Sequence, residues 1–335
     1  MSAPRAVLSG ASGFIGPLVA ADLADRGWTV AVVGRNGPDA RWDQPERLAA
    51  LVDGADLLVN LAGRSVGCRY TDRNRASIYD SRVDTTAALH RAVAVASRPP
   101  RLWMNASTAT IYRHAVDRPQ TEAEGEIGAG FSVDVARDWE RELFAGDLPG
   151  TRRVALRMAI VLGDGPALTM LARAARSGFG GPQLDGWWFP HRRYRGTGAD
   201  LSGPAPAHGR THGEQRFSWI HVDDLLAALR FVSDHDELEG PVNLAAPVAG
   251  TNRSLMAALR RAVGMPVGVP VPRWLLEPGM WLLRQESELL LKSRWVEPAA
   301  LLEAGFTFTW TDLDAAVDVL VGPGSAGRQK PIPSR

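Results

Sequence analysis

The sequence predicts an α/β fold, a doubly wound parallel sheet with a smaller C-terminal region, and three observations predict it. Strand-like apolar runs alternate with amphipathic helical ones through the first half, the pattern of strands joined by crossover helices. A glycine-rich turn, "GASGFIG", sits between the first run and the first helix. A Gly, Pro, His and Arg-rich stretch then breaks the rhythm before strand and helix patterns resume.

In chain order, "RAVLSG" reads as a strand, "PLVAADLADRG" as a helix, "TVAVVGR" as a strand, "LAALVDG" as a helix and "DLLVNLAG" as a strand. "TTAALHRAVAVA" is the next helix, "RLWMNAS" a strand, "VDVARDWERELFA" a helix and "RRVALRMAIVLG" one further strand. Residues 1–163, completed by 217–247, should form the nucleotide-binding domain. Residues 164–216 are an insertion, without regular structure from 183 to 216 and a candidate lid, because long loops over sites act as lids. Residues 183–216 carry five arginines, three histidines and the run Trp187, Trp188, Phe189. Residues 248–321 should form a substrate-binding region, and 322–335 have the composition of a disordered tail.

Composition narrows the partners. The chain has 335 residues, 45% apolar and 22% charged, with 38 basic and 37 acidic side chains and a net charge of +1. That balance recruits neither nucleic acid nor an anionic membrane, so a small molecule is the expected partner. One cysteine, Cys68, allows no internal disulfide framework, and no histidine spacing suggests zinc, so no metal is expected. With no leader-like or membrane-spanning run, the reading is a cytoplasmic chain. Oligomeric state is not legible.

The glycine turn carries the first chemistry. Gly10, Gly13 and Gly16 follow a strand and open a helix, the arrangement that brings backbone N–H groups and a helix N-terminus up to a pyrophosphate. Ser12, Phe14 and Ile15 complete the turn. An acidic residue at the end of the second strand would select NAD; this strand ends "VVGRN". Arg35 offers a guanidinium to a 2′-phosphate instead, which selects NADP, although the same arginine could be a solvated surface residue.

With "GASGFIG", "NLAG", "STATIY", "LRMAIVLG" and "WIHVDD" in this order, the chain resembles the extended short-chain dehydrogenase/reductases. It is most similar to an atypical branch of epimerase family proteins, through "LAGRSVGCRYTDRNRASIYDSRVDTT", "RDWE", "FSWIHVDDL", "GPVNLAAP" and "PAALLEAGFTFTW". The resemblance covers residues 5 to about 320. It implies a Rossmann fold holding NADP, with Leu61, Ala62, Gly63 and Met158 at the cofactor and Arg82, Trp187 and Trp219 toward the substrate. It also implies an Asn, Ser/Thr, Tyr, Lys tetrad, and here the chain departs: Thr108 keeps the hydroxyl, but Arg82, Ser132 and Ala136 stand at the other three positions. Ser132 cannot exchange a proton as a tyrosine beside an ammonium does.

Tyr112, four residues after Thr108, is the expected replacement acid/base, with Arg82 or Arg113 as its cation, or else it merely packs the pocket. Arg82 suits an anionic substrate or pairs with Asp80 or Asp84. The insertion's aromatic and Arg content suits a ring-bearing or anionic ligand. His221 reads as a satisfied core or loop histidine, Asp223 and Asp224 as caps of the helix "LLAALRFV", and Trp139 and Glu140 as architectural. Two functions stay open: an NADP-dependent oxidoreductase or epimerase-like enzyme, and a non-catalytic NADP(H)-binding sensor. A pocket isomerase or cyclase without net hydride transfer is a third.

Overall fold

A computed structural model describes residues 3–186 and 211–323. The chain begins with β1 (Arg5–Ser9), α1 (Gly16–Asp25), β2 (Thr29–Gly34), β3 (Ala40–Arg41), α2 (Pro45–Val52), β4 (Leu57–Asn60), α3 (Asp72–Ala94), β5 (Leu102–Thr108), α4 (Phe131–Leu143) and β6 (Arg152–Met158). It continues with β7 (Ile160–Leu162), α5 (Pro166–Ala174), β8 (Gln183–Leu184), β9 (Arg216–Phe217), β10 (Trp219–His221), α6 (Val222–Asp234) and β11 (Gly240–Leu244). Beyond these lie β12 (Gly250–Thr251), α7 (Asn252–Ala262), β13 (Val271–Pro272), α8 (Arg273–Leu282), α9 (Glu288–Leu291), α10 (Ala299–Glu303) and α11 (Leu313–Val321).

Seven strands form one parallel sheet in the order β11-β6-β5-β4-β1-β2-β3. The strand order reverses at β1, so a crevice opens beyond the ends of β1 and β4, where such sheets bind ligands. Period-two alternation makes the strands apolar on both faces. Ala6, Leu8, Met104 and Leu156 point to the layer containing α1 and α6, and Val7, Leu58, Trp103 and Ala155 to the layer containing α2, α3 and α4. Each fully buried leucine among them contributes ~1.5–3 kcal/mol.

Six sheet strands precede residue 162, five from the quoted apolar runs and the two-residue β3, which no apolar run announces. "RRVALRMAIVLG" is not one strand. The chain leaves the main sheet after Met158, Ala159 N–H bonds Leu244 O, and β7 pairs with β10 in a separate ribbon. In the insertion, α5 and a single π turn at Ala175–Phe179 precede residue 183, and the stretch expected to lack regular structure has short strands at its two ends, β8 pairing with β13 and β9 with β12. The lid assigned to the middle of this segment, with Trp187, lies outside the described residues, as does the tail beyond Pro323.

A second core, Leu162, Leu168, Leu171, Trp219, Leu255, Met256, Leu259 and Val317, binds α5, α7 and α11 to the sheet's edge. Helix α7 starts from a capping box in which Thr251 and Ser254 satisfy each other's backbone N–H groups, the arrangement that stabilises a helix start. Among the described residues no helix is long and apolar enough to cross a membrane.

Candidate functional site

The turn after β1 is built so that only glycine fits at two places. Gly10 has φ +80°, and a Cβ there would lie 2.4 Å from the Leu61 carbonyl carbon. A Cβ on Gly16 would lie 2.3 Å from Gly10 O, so α1 starts in contact with the strand end. Gly13 N–H bonds Gly10 O at 3.1 Å and closes the turn, which leaves the N-terminus of α1 facing the crevice. Ser12 and Gly13 are exposed there, while the Phe14 ring packs toward Gly163 and Gly165 and ties the turn to the end of β7. Arg35 is exposed just beyond β2. This donor set, backbone N–H groups at a helix start with a guanidinium beyond the neighbouring strand, fits a phosphorylated dinucleotide.

A buried polar chain fixes the adjoining strand ends. Ser9 Oγ bonds Asn60 Oδ1 at 2.5 Å, and the same Oδ1 accepts Ala62 N–H at 3.0 Å. Asn60 Nδ2 donates to Asn105 Oδ1 at 2.6 Å and Thr86 Oγ1 at 3.1 Å, and Trp139 Nε1 donates to Thr86 Oγ1 at 2.9 Å. The chain links β1, β4, β5, α3 and α4, and satisfied buried networks of this kind hold one geometry.

Along the C-terminal ends of β4, β5 and β6 lies a cavity of about 240 Å³. Leu61, Ala62, Gly63, Met158, Thr108 and Arg82 all line it, so the four cofactor-side residues expected beyond the glycine turn and Arg35 meet Thr108 and Arg82 in one place. Ser132 and Ala136 line it too, at the two positions where the resemblance would place tyrosine and lysine. Arg82 is largely buried, and desolvation pushes its pKa down to about 10. Its Nη1 donates to Ile78 O at 3.0 Å and its guanidinium lies over Trp139, 5.2 Å from the ring centre. Among the described residues it makes no ion pair with Asp80 or Asp84. Thr108 Oγ1 accepts Thr110 N–H at 3.1 Å, which leaves its proton available to a ligand.

Three expectations are corrected. Tyr112 does not line the cavity: it is 1% exposed, with its hydroxyl donating to Asn243 Oδ1 at 2.9 Å and accepting from Arg157 Nη1 at 2.8 Å. Burial raises its pKa although Arg157 and Asn243 oppose the rise. The cause of the displacement is a 3-10 turn over Ala109–Ile111, which carries the chain back under the sheet. Arg113 faces solvent-side carboxylates, 2.8 Å from Asp117 and 3.0 Å from Glu126. Trp219 is fully buried in the second core, its Nε1 donating to Val248 O at 3.2 Å; pairing of β10 with β7 turns it away from the cavity.

His221 is a core histidine, as expected, but not a satisfied one: it caps α6, Nδ1 accepting Asp223 N–H at 3.2 Å, its ring stacks on Trp310 at 4.5 Å, and its buried Nε2 has no hydrogen-bond partner among the described residues. Desolvation lowers its pKa, partly offset by Asp223 and Asp224. Asp224 is not a cap of its own helix. Its carboxylate accepts Thr309 and Trp310 N–H at 2.9 and 2.8 Å, a clamp on the C-terminal segment. Trp139 lines the cavity as well as packing the helix.

Other residues carry no local signal in the sequence. Glu140 accepts from Arg157 Nε at 2.8 Å and Nη2 at 2.7 Å, and from Ser107 Oγ at 2.5 Å; Ser107 borders the cavity. Tyr70, Phe131 and Arg294 also line it. Arg294, 7% exposed, comes from the segment after α9, more than two hundred residues from Tyr70; its Nε donates to Thr110 Oγ1 at 3.0 Å and desolvation lowers its pKa. Beside it, Lys292 Nζ donates to Thr110 O at 2.7 Å, and desolvation pushes its pKa down to about 8.

Comparison with known proteins places these features. Residues 6–129 match the NAD dependent epimerase/dehydratase family, and residues 271–320 match a domain of unknown function, DUF1731. The chain is 25% identical over 323 residues to the epimerase family protein YfhF of Bacillus subtilis, covering 94% of this chain and 97% of that protein. It superposes on the crystal structure of human epimerase family protein SDR39U1 (isoform 2) with NADPH, TM-score 0.78 and 27% identity, over 95% of this chain and 99% of that one. A nucleoside-diphosphate sugar epimerase from Corynebacterium glutamicum is similar at TM-score 0.71 and 27% identity, over 96% of this chain and 59% of that one.

Proposed function

This chain belongs to the NAD-dependent epimerase/dehydratase family, with a DUF1731 segment at its C-terminal end, and from that premise we propose that it is an NADP(H)-dependent oxidoreductase or epimerase-like enzyme acting on a small anionic molecule. One observation carries the reading: the glycine turn and the cavity lie along the same C-terminal sheet edge, one shaped for phosphate and the other lined by Thr108 and Arg82. The similarity to a structure crystallised with NADPH supports the same cofactor.

Gly10, Ser12, Gly13, Phe14, Ile15 and Gly16 would hold the pyrophosphate turn, with Arg35 at the 2′-phosphate. Leu61, Ala62, Gly63 and Met158 would border the nicotinamide end. When bound, the cofactor supplies a hydride donor or acceptor. The chain's own residues do the rest. Arg82, desolvated and without a carboxylate partner among the described residues, holds an anionic group of the substrate; a buried cation gains most from an anion in low dielectric. Thr108 donates to the substrate oxygen, and Phe131 and Trp139 keep water away. Residues 1–163 with 217–247 form the cofactor domain, and residues 248–321 the substrate side, a division supported by the contribution of Arg294 to the cavity.

Ser132 and Ala136 favour a second reading, an NADP(H) sensor without turnover. The cofactor assignment common to both is tested by titration. NADPH should bind more tightly than NADH, and Arg35→Ala should shrink the preference by about 1.5–3 kcal/mol, the worth of a charge-assisted bond. Equal affinities in the native protein refute it. A sustained failure of NADPH oxidation across small carbonyl acids would favour the sensor.

A further inference from the structure

Helix α4 brings Ser132 to the cavity where the tetrad would bring a phenol, and the phenol that reaches the same place comes from the loop before α3. Tyr70 lines the cavity and is 6% exposed. Its backbone N–H donates to Glu286 Oε1 at 2.8 Å, and its ring meets Phe131 edge-on with 4.9 Å between centres. The side chain is thus fixed at its root and along its ring, as a positioned proton donor must be. Its hydroxyl is hydrogen-bonded with the Ser132 side chain.

Charges of both signs surround the phenol. Arg82 and Arg294 both lie within electrostatic reach of the phenol oxygen. Glu288 and Glu286 oppose them. Glu286, however, faces Arg69 at 3.5 Å, and Glu288 is partly exposed, with Ser132 Oγ 3.5 Å from its Oε2. Glu288 acts on the phenol more strongly than Arg294 does, so together with burial the carboxylates keep Tyr70 protonated, while Arg82 and Arg294 are the cations near enough to stabilise a phenolate once the proton has left.

Resting on the function proposed above, we propose that Tyr70 is the catalytic proton-exchange residue of this site, supplying from the α3 side the phenol that α4 lacks. In the reductive direction the substrate's carbonyl carbon accepts a hydride from the reduced nicotinamide dinucleotide, which is oxidised. The carbonyl π pair moves onto oxygen, and that oxygen takes the Tyr70 proton to give the alcohol. The phenolate left between Arg82 and Arg294 recovers a proton from water. In the oxidative direction each transfer reverses. Ser132 keeps a role as the hydroxyl that orients Tyr70. Burial raises the Tyr70 pKa, so the group enters the reductive step protonated, the form a donor needs.

The test uses a stable mimic of the oxyanion and does not depend on turnover. 4-Nitrophenolate is titrated into the full-length protein and followed by its visible absorbance, with nitrobenzene as the uncharged control. Wild type should bind the anion and shift the bound phenol's ionisation to lower pH. Tyr70→Phe should weaken anion binding roughly 10- to 100-fold, the loss of one charge-assisted hydrogen bond, while nitrobenzene binding stays within twofold. Ser132→Ala, which loosens the phenol without removing it, should weaken the anion about threefold to tenfold and serves if Tyr70→Phe does not fold. Equal anion binding by wild type and Tyr70→Phe, or no anion binding by wild type, overturns the proposal. NADPH affinity of the wild type, measured by fluorescence, is a separate readout: its absence would refute the function above whatever the phenolate result.

Discussion

Replacing Glu140 by glutamine should show how much of the site rests on one buried ion pair. Its carboxylate takes both Nε and Nη2 of Arg157 at 2.8 and 2.7 Å and the Ser107 hydroxyl at 2.5 Å, and the two charged side chains are 10% and 8% exposed. Burial would lower the Arg157 pKa, but the bonds to Glu140 outweigh it and the guanidinium is held charged. Glutamine keeps the shape but leaves that charge buried without its counter-ion and sets an amide N–H₂ against donors. Removing one partner of a buried pair costs about 3–5 kcal/mol, a large share of the ~5–15 kcal/mol of a whole domain. Urea unfolding followed by tryptophan fluorescence should show the midpoint falling with the slope unchanged. Because Ser107 borders the cavity, ligand binding should weaken with it. The double variant Glu140→Leu with Arg157→Met should be less damaged than either single change, since it removes both charges together. A loss below about 1 kcal/mol for Glu140→Gln would refute this account.

Two further changes separate binding from folding. A Cβ at Gly13 meets nothing nearer than Gly10 O at 3.5 Å, so Gly13→Ala should leave stability unchanged or raised by ~0.4–1 kcal/mol while cutting NADPH affinity at least about tenfold by blocking the approach to pyrophosphate; calorimetry and thermal melts measure the two, and undiminished affinity counts against the phosphate turn. Lys292→Met should stabilise the protein near pH 7: the lysine's pKa is lowered to about 8 from 10.5 by desolvation, so its burial penalty, about 3 kcal/mol at 1.36 per unit, is present in full below pH 8 and is relieved as pH rises from 8 toward 10.5. The lost bond to Thr110 O returns about 1 kcal/mol, leaving a net gain of about 1–2 kcal/mol by denaturation at pH 7 that shrinks toward pH 10; a gain constant across that range contradicts it.

What the sequence made legible was local. The glycine turn announces itself because three residues must meet a backbone within seven positions, and Arg35 because one strand end faces one cofactor position. The doubly wound sheet follows from the period of the apolar runs, and only β3 and the break at Ala159 escape it, β3 because it is two residues in a polar stretch and the break because it does not interrupt an apolar run. Tyr112 misleads because its spacing from Thr108 is that of a residue on an exposed loop; the 3-10 turn that sends it inward depends on Arg157 and Asn243, which are distant in sequence. Trp219 misleads for the converse reason, since its burial is decided by the partner strand β7. Tyr70 and Arg294 stand in unremarkable contexts, and only the fold brings them to one cavity.

How Arg294 arrives there bears on what the DUF1731 segment is for. Residues 293–297 dock along the loop that follows β5: Ser293 N–H bonds His114 Nδ1 at 3.0 Å, Ser293 Oγ donates to Ala115 O at 2.5 Å, Gln120 N–H bonds Trp295 O at 2.8 Å and Glu297 N–H bonds Gln120 O at 3.0 Å. Two of these four are backbone–backbone bonds, as is Ala115 N–H to Ser293 O at 3.2 Å, and such bonds fix a segment's position with little dependence on its side chains. The segment can therefore place Arg294 at the cavity while its own path is held largely by the main chain. The cofactor turn and Arg294 belong to opposite ends of the sequence, so a residue that binds substrate here can change without touching the phosphate loop. On the function proposed above, that separation lets one cofactor-binding frame take different substrates, with Arg294 the residue through which the DUF1731 segment reaches the cavity.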